Sequence, residues 1–292
     1  MTALTYSYKA NQLFFMLIKI SIVIVAFPFI YYKLANNDGI TSADFIHIIT
    51  SKNILSIQGC FILLTLTTLN WLLETLKWKT LISPVKPIHF RKALEQSLGA
   101  LTASLFTPNR IGEYGAKALY YPTNLRKRVL FITLVSNLLQ MFITICLGLI
   151  GLIFFLSKHK QATANYANLF LFSLGFLASV SIVLLVMKKI KFTLSGFSLE
   201  EMKHFIINYL KTILIKGLLF SLFRYLIFSF QFYVLLLLFN VDISYYEAMM
   251  VITSMYLIAS VVPSIFIFDV VIKGSVAVYL FSFLEVNELS IL

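Results

Sequence analysis

The sequence predicts an all-α, polytopic membrane protein, and three observations support this fold class. Hydrophobic residues make up 60% of the 292-residue chain and charged residues only 12%, whereas soluble domains carry about 25% charged residues. The apolar residues gather in runs long enough to cross a bilayer. The basic residues gather between these runs. A soluble chain of this length has no interior large enough for so much apolar surface, so lipid must solvate much of it.

Five apolar segments satisfy the length requirement for a spanning helix, which is about 20 residues for a hydrocarbon core of ~30 Å. Glu74 and Lys216 lie within about two turns of a predicted end, so we expect their charges to snorkel to the interface. Six aromatic residues near predicted interfaces are expected to be anchors, namely Trp71, Trp78, Tyr120, Tyr121, Tyr245 and Tyr246. The predicted spans are roughly 13–32, 54–73, 129–156, 168–187 and 213–239, and a surface helix is predicted over 198–210.

Two further apolar regions are interrupted by proline and predict a different structure. The uncharged run 96–109 is too short to cross a bilayer, and region 248–268 contains Pro263. Each region is interpreted as two half-helices that meet at a turn, which makes a re-entrant helical hairpin. Pro108, Gly112 and Pro263 are the predicted turn residues. Irregular backbone at membrane depth is tolerated only where it is buried or lines a cavity.

The distribution of basic residues predicts the orientation in the membrane. Fourteen Lys and Arg side chains, with Lys77 among them, fall in loops on one side and four on the other. The richer side is expected to be cytoplasmic. The sequence therefore predicts a multi-pass protein of the bacterial cytoplasmic membrane with its N-terminus inside. The hairpins then open to opposite sides. A single domain of two inverted repeats follows, about 1–157 and 158–292, the second lacking its last span.

Several classes of function are disfavoured by the composition. The net charge of +12 is explained by basic residues that flank spans, so no nucleic-acid partner is expected. Cys60 and Cys146 lie in apolar segments, and the four histidines are scattered. The sequence therefore predicts no metal and no other cofactor.

The candidate site consists of charged and polar residues in the membrane-embedded segments. An acid and a base four residues apart share a helix face and can pair, and this spacing occurs after each proline. The charges sum to an excess of two positive charges, which favours a site for an anionic headgroup, because arginine and helix N-termini bind phosphate. The alternative is that the charges only lock the hairpins together. The predicted ligand-binding residues are Arg110, Glu113, Lys117, Arg224, Gln231, Asp269 and Lys273.

Three stretches resemble the flippase-like transmembrane region of lysylphosphatidylglycerol synthases. They are TPNRIGEYGAK (107–117), FRYLIFSFQFYVLL (223–236) and VPSIFIFDVVIKGSVAVYL (262–280). The most specific part is P-x-R-x-G-E, which is matched by Pro108, Arg110, Gly112 and Glu113. The second motif departs from the family pattern. SIFIFD replaces a glycine-rich turn, and Lys273 replaces an arginine.

The resemblance implies movement of an aminoacylated phospholipid between leaflets in members fused to a synthase domain. We expect these 292 residues to be too few to include the soluble domain that makes such a lipid as well. The expected role is therefore a stand-alone, flippase-like membrane protein, not an enzyme, that acts on an anionic or zwitterionic lipid or a lipid-linked precursor. Membrane lipids are its expected partners. The alternative is a non-transporting scaffold or accessory subunit of an envelope-lipid biosynthetic enzyme. An intramembrane enzyme ranks third, because no catalytic constellation is visible.

Overall fold

The computed structural model describes residues 56–105, 107, 111–159, 211–261, 266–287 and 290–291. Within these ranges the chain forms seven α-helices and no β-strand, which confirms the all-α prediction. The helices are α1 (Ile57–Ile82), α2 (Phe90–Leu105), α3 (Ile111–Leu119), α4 (Thr123–Lys158), α5 (Lys211–Leu238), α6 (Tyr245–Val261) and α7 (Phe266–Ser282).

Helices α1, α4 and α5 are long and apolar enough to cross a membrane. They confirm three of the predicted spanning segments. The end of α1 differs from the prediction, because the helix continues past residue 73 to Ile82. Hydropathy misses this part because it carries charges, yet Trp78, Leu81 and Ile82 are fully buried against the protein. The predicted elements 13–32, 168–187 and 198–210 lie outside the described residues.

Helix α4 is the centre of the arrangement and packs against α3, α5 and α6. Its contact with α6 is unusually close. A Cβ atom on Gly151 would lie 1.9 Å from Oγ1 of Thr253, and one on Gly148 would lie 2.5 Å from Cβ of Leu257. Small residues allow helix backbones to approach in this way in membrane proteins. Helices α4 and α6 therefore form a tightly fitted pair.

An apolar cluster closes the C-terminal part of α1 against α2 and α4. Trp78, Leu81 and Ile82 pack there with Ala93 of α2, and Val129 and Ile132 of α4 complete the cluster. Trp78 has no exposed surface and Tyr121 is only 3% exposed. The prediction that these two aromatic residues are interfacial anchors is wrong, because the longer α1 places them inside the protein.

Each proline-containing region is flanked by two helices that pack on each other, α2 with α3 and α6 with α7. At the first region the N–H of Gly112 donates to Oγ1 of Thr107 at 2.7 Å, which satisfies a free donor at the start of α3. A Cβ atom on Gly112 would lie 2.3 Å from the carbonyl oxygen of Ala103. Pro108 and Pro263 lie outside the described residues. The re-entrant path of both pairs and the inverted repeat stay predictions.

The connection between α5 and α6 is defined at both ends. Asn240 has a φ of 53°, and the N–H of Val241 bonds to the carbonyl of Leu236 at 3.0 Å. This left-handed residue with a six-to-one hydrogen bond ends α5 as a Schellman motif. Ser244 begins α6 by accepting from the N–H of Glu247 at 3.3 Å. The long helix α5 is thereby held beside α6.

Candidate functional site

A buried carboxylate on α1 is the centre of the site. Glu74 is only 6% exposed. Its Oε2 atom lies 2.8 Å from Nζ of Lys77 and 2.7 Å from NH1 of Arg224. The expectation that Glu74 snorkels to the interface is wrong, because α1 continues beyond it and packing covers this face. Lys77 is 1% exposed and belongs to the helix rather than to a cytoplasmic loop.

Helix α3 adds a second ion pair to this centre. Glu113 and Lys117 lie four residues apart on one helix face, with 2.8 Å between Oε1 and Nζ. Both are buried. Nζ of Lys117 also lies 3.9 Å from Oε1 of Glu74, which joins α3 to α1. We call the five residues Glu74, Lys77, Glu113, Lys117 and Arg224 the charged cluster.

Arg224 of α5 is the most accessible member of the charged cluster. Its Nε atom donates to Oδ1 of Asn70 at 2.7 Å, and its NH1 atom donates to Glu74. Its side chain is 18% exposed, whereas the side chain of Glu74 is 8% exposed. A guanidinium carries five N–H donors. Among the described contacts its NH2 edge is left for a ligand oxygen.

An aromatic shell holds the ammonium group of Lys117. Nζ lies 4.2 Å from the centre of the Trp78 ring, a cation–π distance. The indole N–H of Trp78 donates to Oε1 of Gln96 at 2.8 Å, and the OH of Tyr121 donates to the same oxygen at 3.0 Å. Burial raises the pKa of the Tyr121 phenol, so the group remains a donor at physiological pH. Gln96 therefore fixes the ring on which Lys117 lies.

The electrostatic balance of the charged cluster is uneven. Among the described residues, three cations face two carboxylates, which is a formal charge of +1 at a site where four of the five side chains are at most 8% exposed. Buried charges are costly unless they are paired. Each cation is paired with one of the two carboxylates, and one formal positive charge remains in excess among the described residues. The arrangement is suited to hold one further anionic group.

The structure brings together part of the residue set that the sequence predicted. Glu113, Lys117 and Arg224 lie in the charged cluster. Gln231 lies two turns from Arg224 on α5 and donates to Oγ1 of Thr67 at 3.0 Å. Lys273 is half-buried on α7, which packs mainly on α6.

Arg110 and the side chain of Asp269 lie outside the described part of the chain. Their place in the site, and that of Lys273, stays a prediction.

Sequence reasoning missed four residues of this site, namely Asn70, Glu74, Lys77 and Gln96. A signal was present, because Asn70, Glu74 and Lys77 recur at spacings of four and three and so share one face of a helix. The hydropathy pattern places the end of the span at residue 73, and Glu74 and Lys77 are therefore predicted to lie at the membrane surface. Gln96 carries no comparable signal, because its role depends on contacts with α1 and with the α3–α4 connection.

Three of the described helices are apolar and long enough to span a membrane. The charged cluster lies between α1, α3 and α5 and is largely buried. Together these features define a helical membrane protein with a polar internal site. The chain belongs to the family of the lysylphosphatidylglycerol synthase transmembrane region, whose family model matches residues 16–284. This match confirms the resemblance and ties the protein to lipid metabolism. No curated protein and no solved structure shows significant similarity to the chain.

Proposed function

We propose that the protein binds the headgroup of an anionic or zwitterionic phospholipid, or of a lipid-linked precursor, at the charged cluster and moves this lipid between leaflets. The observation that carries the proposal is the buried excess of positive charge, with Arg224 as its accessible member. Membership of a lipid-related membrane family supports a lipid as the ligand.

The chemistry of the charged cluster favours a phosphate. The planar edge of a guanidinium matches two phosphate oxygens, and such pairs form strong, charge-assisted hydrogen bonds. Asn70 accepts from Nε and Glu74 accepts from NH1, so the described contacts fix the guanidinium and leave its NH2 group for a phosphate oxygen. A phosphate monoanion would neutralise the excess charge. A ligand without a phosphate or another anionic group would leave the excess charge unbalanced in a low-dielectric site.

The proposed mechanism is alternating exposure of this site to the two leaflets. Inverted repeats that contain broken helices support such mechanisms in secondary transporters, and the predicted hairpins would supply the moving parts. We place the protein in the bacterial cytoplasmic membrane with its N-terminus inside, as the distribution of basic residues predicts. We assign it no enzymatic activity.

A second candidate function is a scaffold or accessory subunit of an envelope-lipid enzyme. It is favoured by the direct pairing of both carboxylates of the charged cluster, because such ion pairs also hold α1, α3 and α5 together. If the charged residues serve only to hold the helices together, Glu113→Gln and Lys117→Met should destabilise the fold equally. The double variant should then recover the stability. If the cations bind phosphate, the double variant should recover stability without recovering lipid movement.

The test of the proposed function is lipid movement in reconstituted vesicles. Purified protein is placed in phosphatidylethanolamine vesicles that contain a trace of fluorescent phosphatidylglycerol, and the accessibility of the label to an external quencher is followed. We expect Arg224→Ala to abolish the movement seen with the wild type. Lys216→Ala is the matched control, because Lys216 is an exposed cation on the same helix. Equal rates for the wild type, the Arg224 variant and empty vesicles would contradict a flippase function.

A further inference from the structure

Helices α1 and α5 run antiparallel and meet at three levels that are spaced by seven residues in each helix. Leu81 meets Gly217, Glu74 meets Arg224, and Thr67 meets Gln231. Seven residues are close to two helical turns, so the three levels lie on one line. We call this line the α1–α5 seam.

The burial and the polarity of the seam change along its length. At one end Leu81 is fully buried, and a Cβ atom on Gly217 would lie 3.0 Å from its side chain. At the centre lies the ion pair of Arg224 and Glu74. At the other end Thr67 is exposed and Gln231 half-buried, near the middle of α1. The seam is closed and apolar at one end and open and polar at the other.

Polar side chains rather than backbone packing bridge the open part of the seam. Among the described helices, the pairs whose backbones pack most closely do not include α1 with α5. The α4–α6 pair is different, because its glycines leave no space between the backbones. Two helices joined by side-chain hydrogen bonds can exchange these bonds for bonds to a polar ligand. Two helices whose backbones pack closely cannot separate without losing many contacts.

We propose that the α1–α5 seam is the lateral entrance through which the headgroup of an acidic phospholipid passes from the bilayer to Arg224, with the hydrogen bond between Gln231 and Thr67 as its gate. This inference rests on the proposed function. An exposed threonine and a half-buried glutamine at this level of two spanning helices are costly toward lipid tails unless they are paired. When a headgroup arrives, the Gln231 amide can donate to it instead of to Thr67.

The arrangement of charges favours an acidic headgroup as the occupant. The gate leads to the guanidinium of Arg224, which lies two turns deeper along the seam. The positive excess of the charged cluster lies behind it. The acyl chains would remain between α1 and α5 in contact with the bilayer, where Phe61, Leu64 and Phe228 are exposed. A headgroup can therefore reach the charged cluster without full extraction of the lipid.

The test joins the two sides of the gate chemically. Cysteines replace Thr67 and Gln231 in a background where Cys60 and Cys146 are serine. A short bis-methanethiosulfonate reagent then cross-links them. Phosphatidylglycerol retained by the purified protein is counted by native mass spectrometry. Protein that is cross-linked before exposure to phosphatidylglycerol should load at least about tenfold less than uncross-linked protein, which corresponds to about 1.4 kcal/mol. Cross-linking after loading should trap the lipid through detergent washing, and dithiothreitol should reverse both effects.

Two failures are distinguishable. If the wild type retains no phosphatidylglycerol, the proposed function and this inference both fail. If the cross-linked protein loads as readily as the reduced protein, only the entrance is overturned.

Thr67→Val supplies a second test that needs no cross-linker. Loss of one hydrogen bond, about 1 kcal/mol, should speed release of phosphatidylglycerol about fivefold. Thr68→Val is the matched control, because Thr68 is exposed and its described hydrogen bond is to the backbone of its own helix. Equal release rates in the two variants would overturn the gate.

Discussion

Arg224 and Glu74, 150 positions apart in the chain, form an ion pair of 2.7 Å that joins α5 to α1 inside the protein. The pair is not isolated, because Glu74 also accepts from Lys77 and lies near Lys117. One carboxylate therefore fixes three cations. This relationship explains how three basic side chains can lie together inside the protein.

Loss of the Glu74 carboxylate should be strongly destabilising. Glu74→Gln leaves the three cations of the charged cluster opposite a single described carboxylate, and removal of one partner from a buried pair costs about 3–5 kcal/mol. We expect a large fall in Tm of the detergent-solubilised protein. A further change, Lys77→Met, removes one of the uncompensated cations and should restore part of the loss.

Glu95→Gln is the control for this variant, because Glu95 forms an exposed ion pair with Lys92 on α2. Its Tm should remain near that of the wild type, since exposed pairs contribute little. Equal effects of the two substitutions would contradict the central position of Glu74.

Gln96 should affect lipid affinity through Lys117. Gln96→Leu leaves the Trp78 indole N–H and the Tyr121 OH without their acceptor, at a cost of about 1–3 kcal/mol. The ring under Lys117 should then shift. We expect a lower Tm and weaker retention of phosphatidylglycerol.

Gln140→Leu is the matched control for Gln96→Leu. Gln140 makes a long 3.4 Å bond to the carbonyl of Ser221, and no described residue donates to its buried Oε1 atom. Its replacement should change stability less and should leave phosphatidylglycerol retention unchanged. If both variants retain the lipid as the wild type does, Gln96 has only a structural role.

The close contact of α4 with α6 predicts that substitutions at two glycines, Gly151 and Gly115, differ markedly in their effect on stability. Gly151→Leu forces a side chain into the space of Thr253 and should destabilise the protein by about 1–3 kcal/mol, as overpacking does. A Cβ atom on Gly115 of α3 meets nothing within 4 Å. Gly115→Ala should therefore be neutral or stabilising by up to about 1 kcal/mol. Thermal unfolding of both variants checks the prediction, and a stable Gly151 variant would contradict the packing.

The ion pair between Lys158 at the end of α4 and Glu247 at the start of α6 predicts a pH dependence. Hydrogen bonds from Lys158 and Ser244 hold the pKa of the Glu247 carboxyl below its ordinary value of 4.5. A lowered pKa in the folded state means that the stabilisation is complete above 4.5 and is lost as the pH falls through the lowered value.

The Tm difference between the wild type and Glu247→Gln should therefore be small, largest near neutral pH, and should vanish in acid. Thermal unfolding across this pH range measures it. A difference that grows as the pH falls would contradict the assignment.

The sequence was sufficient for the fold class, the described spans and part of the site. An uncharged run marks α4, and an apolar run interrupted only by Lys216 and Arg224 marks α5, because membrane helices must be apolar where they face lipid. The ion pair of Glu113 with Lys117 followed from its spacing of four. The charged end of α1 was not predictable from hydropathy, since Glu74 and Lys77 are buried against protein instead of lipid. The role of Gln96 depends on partners 18 and 25 positions away, which a single sequence does not reveal.

The central claim is that the charged cluster binds a lipid phosphate, and native mass spectrometry of the purified protein with added phosphatidylglycerol tests it most directly. We predict that the wild type and the Lys216→Ala control each retain one phosphatidylglycerol molecule. We predict that Arg224→Ala loses it while its helical circular-dichroism signal remains that of the wild type. Retention of phosphatidylglycerol by a folded Arg224→Ala protein, at the wild-type level, would contradict the claim.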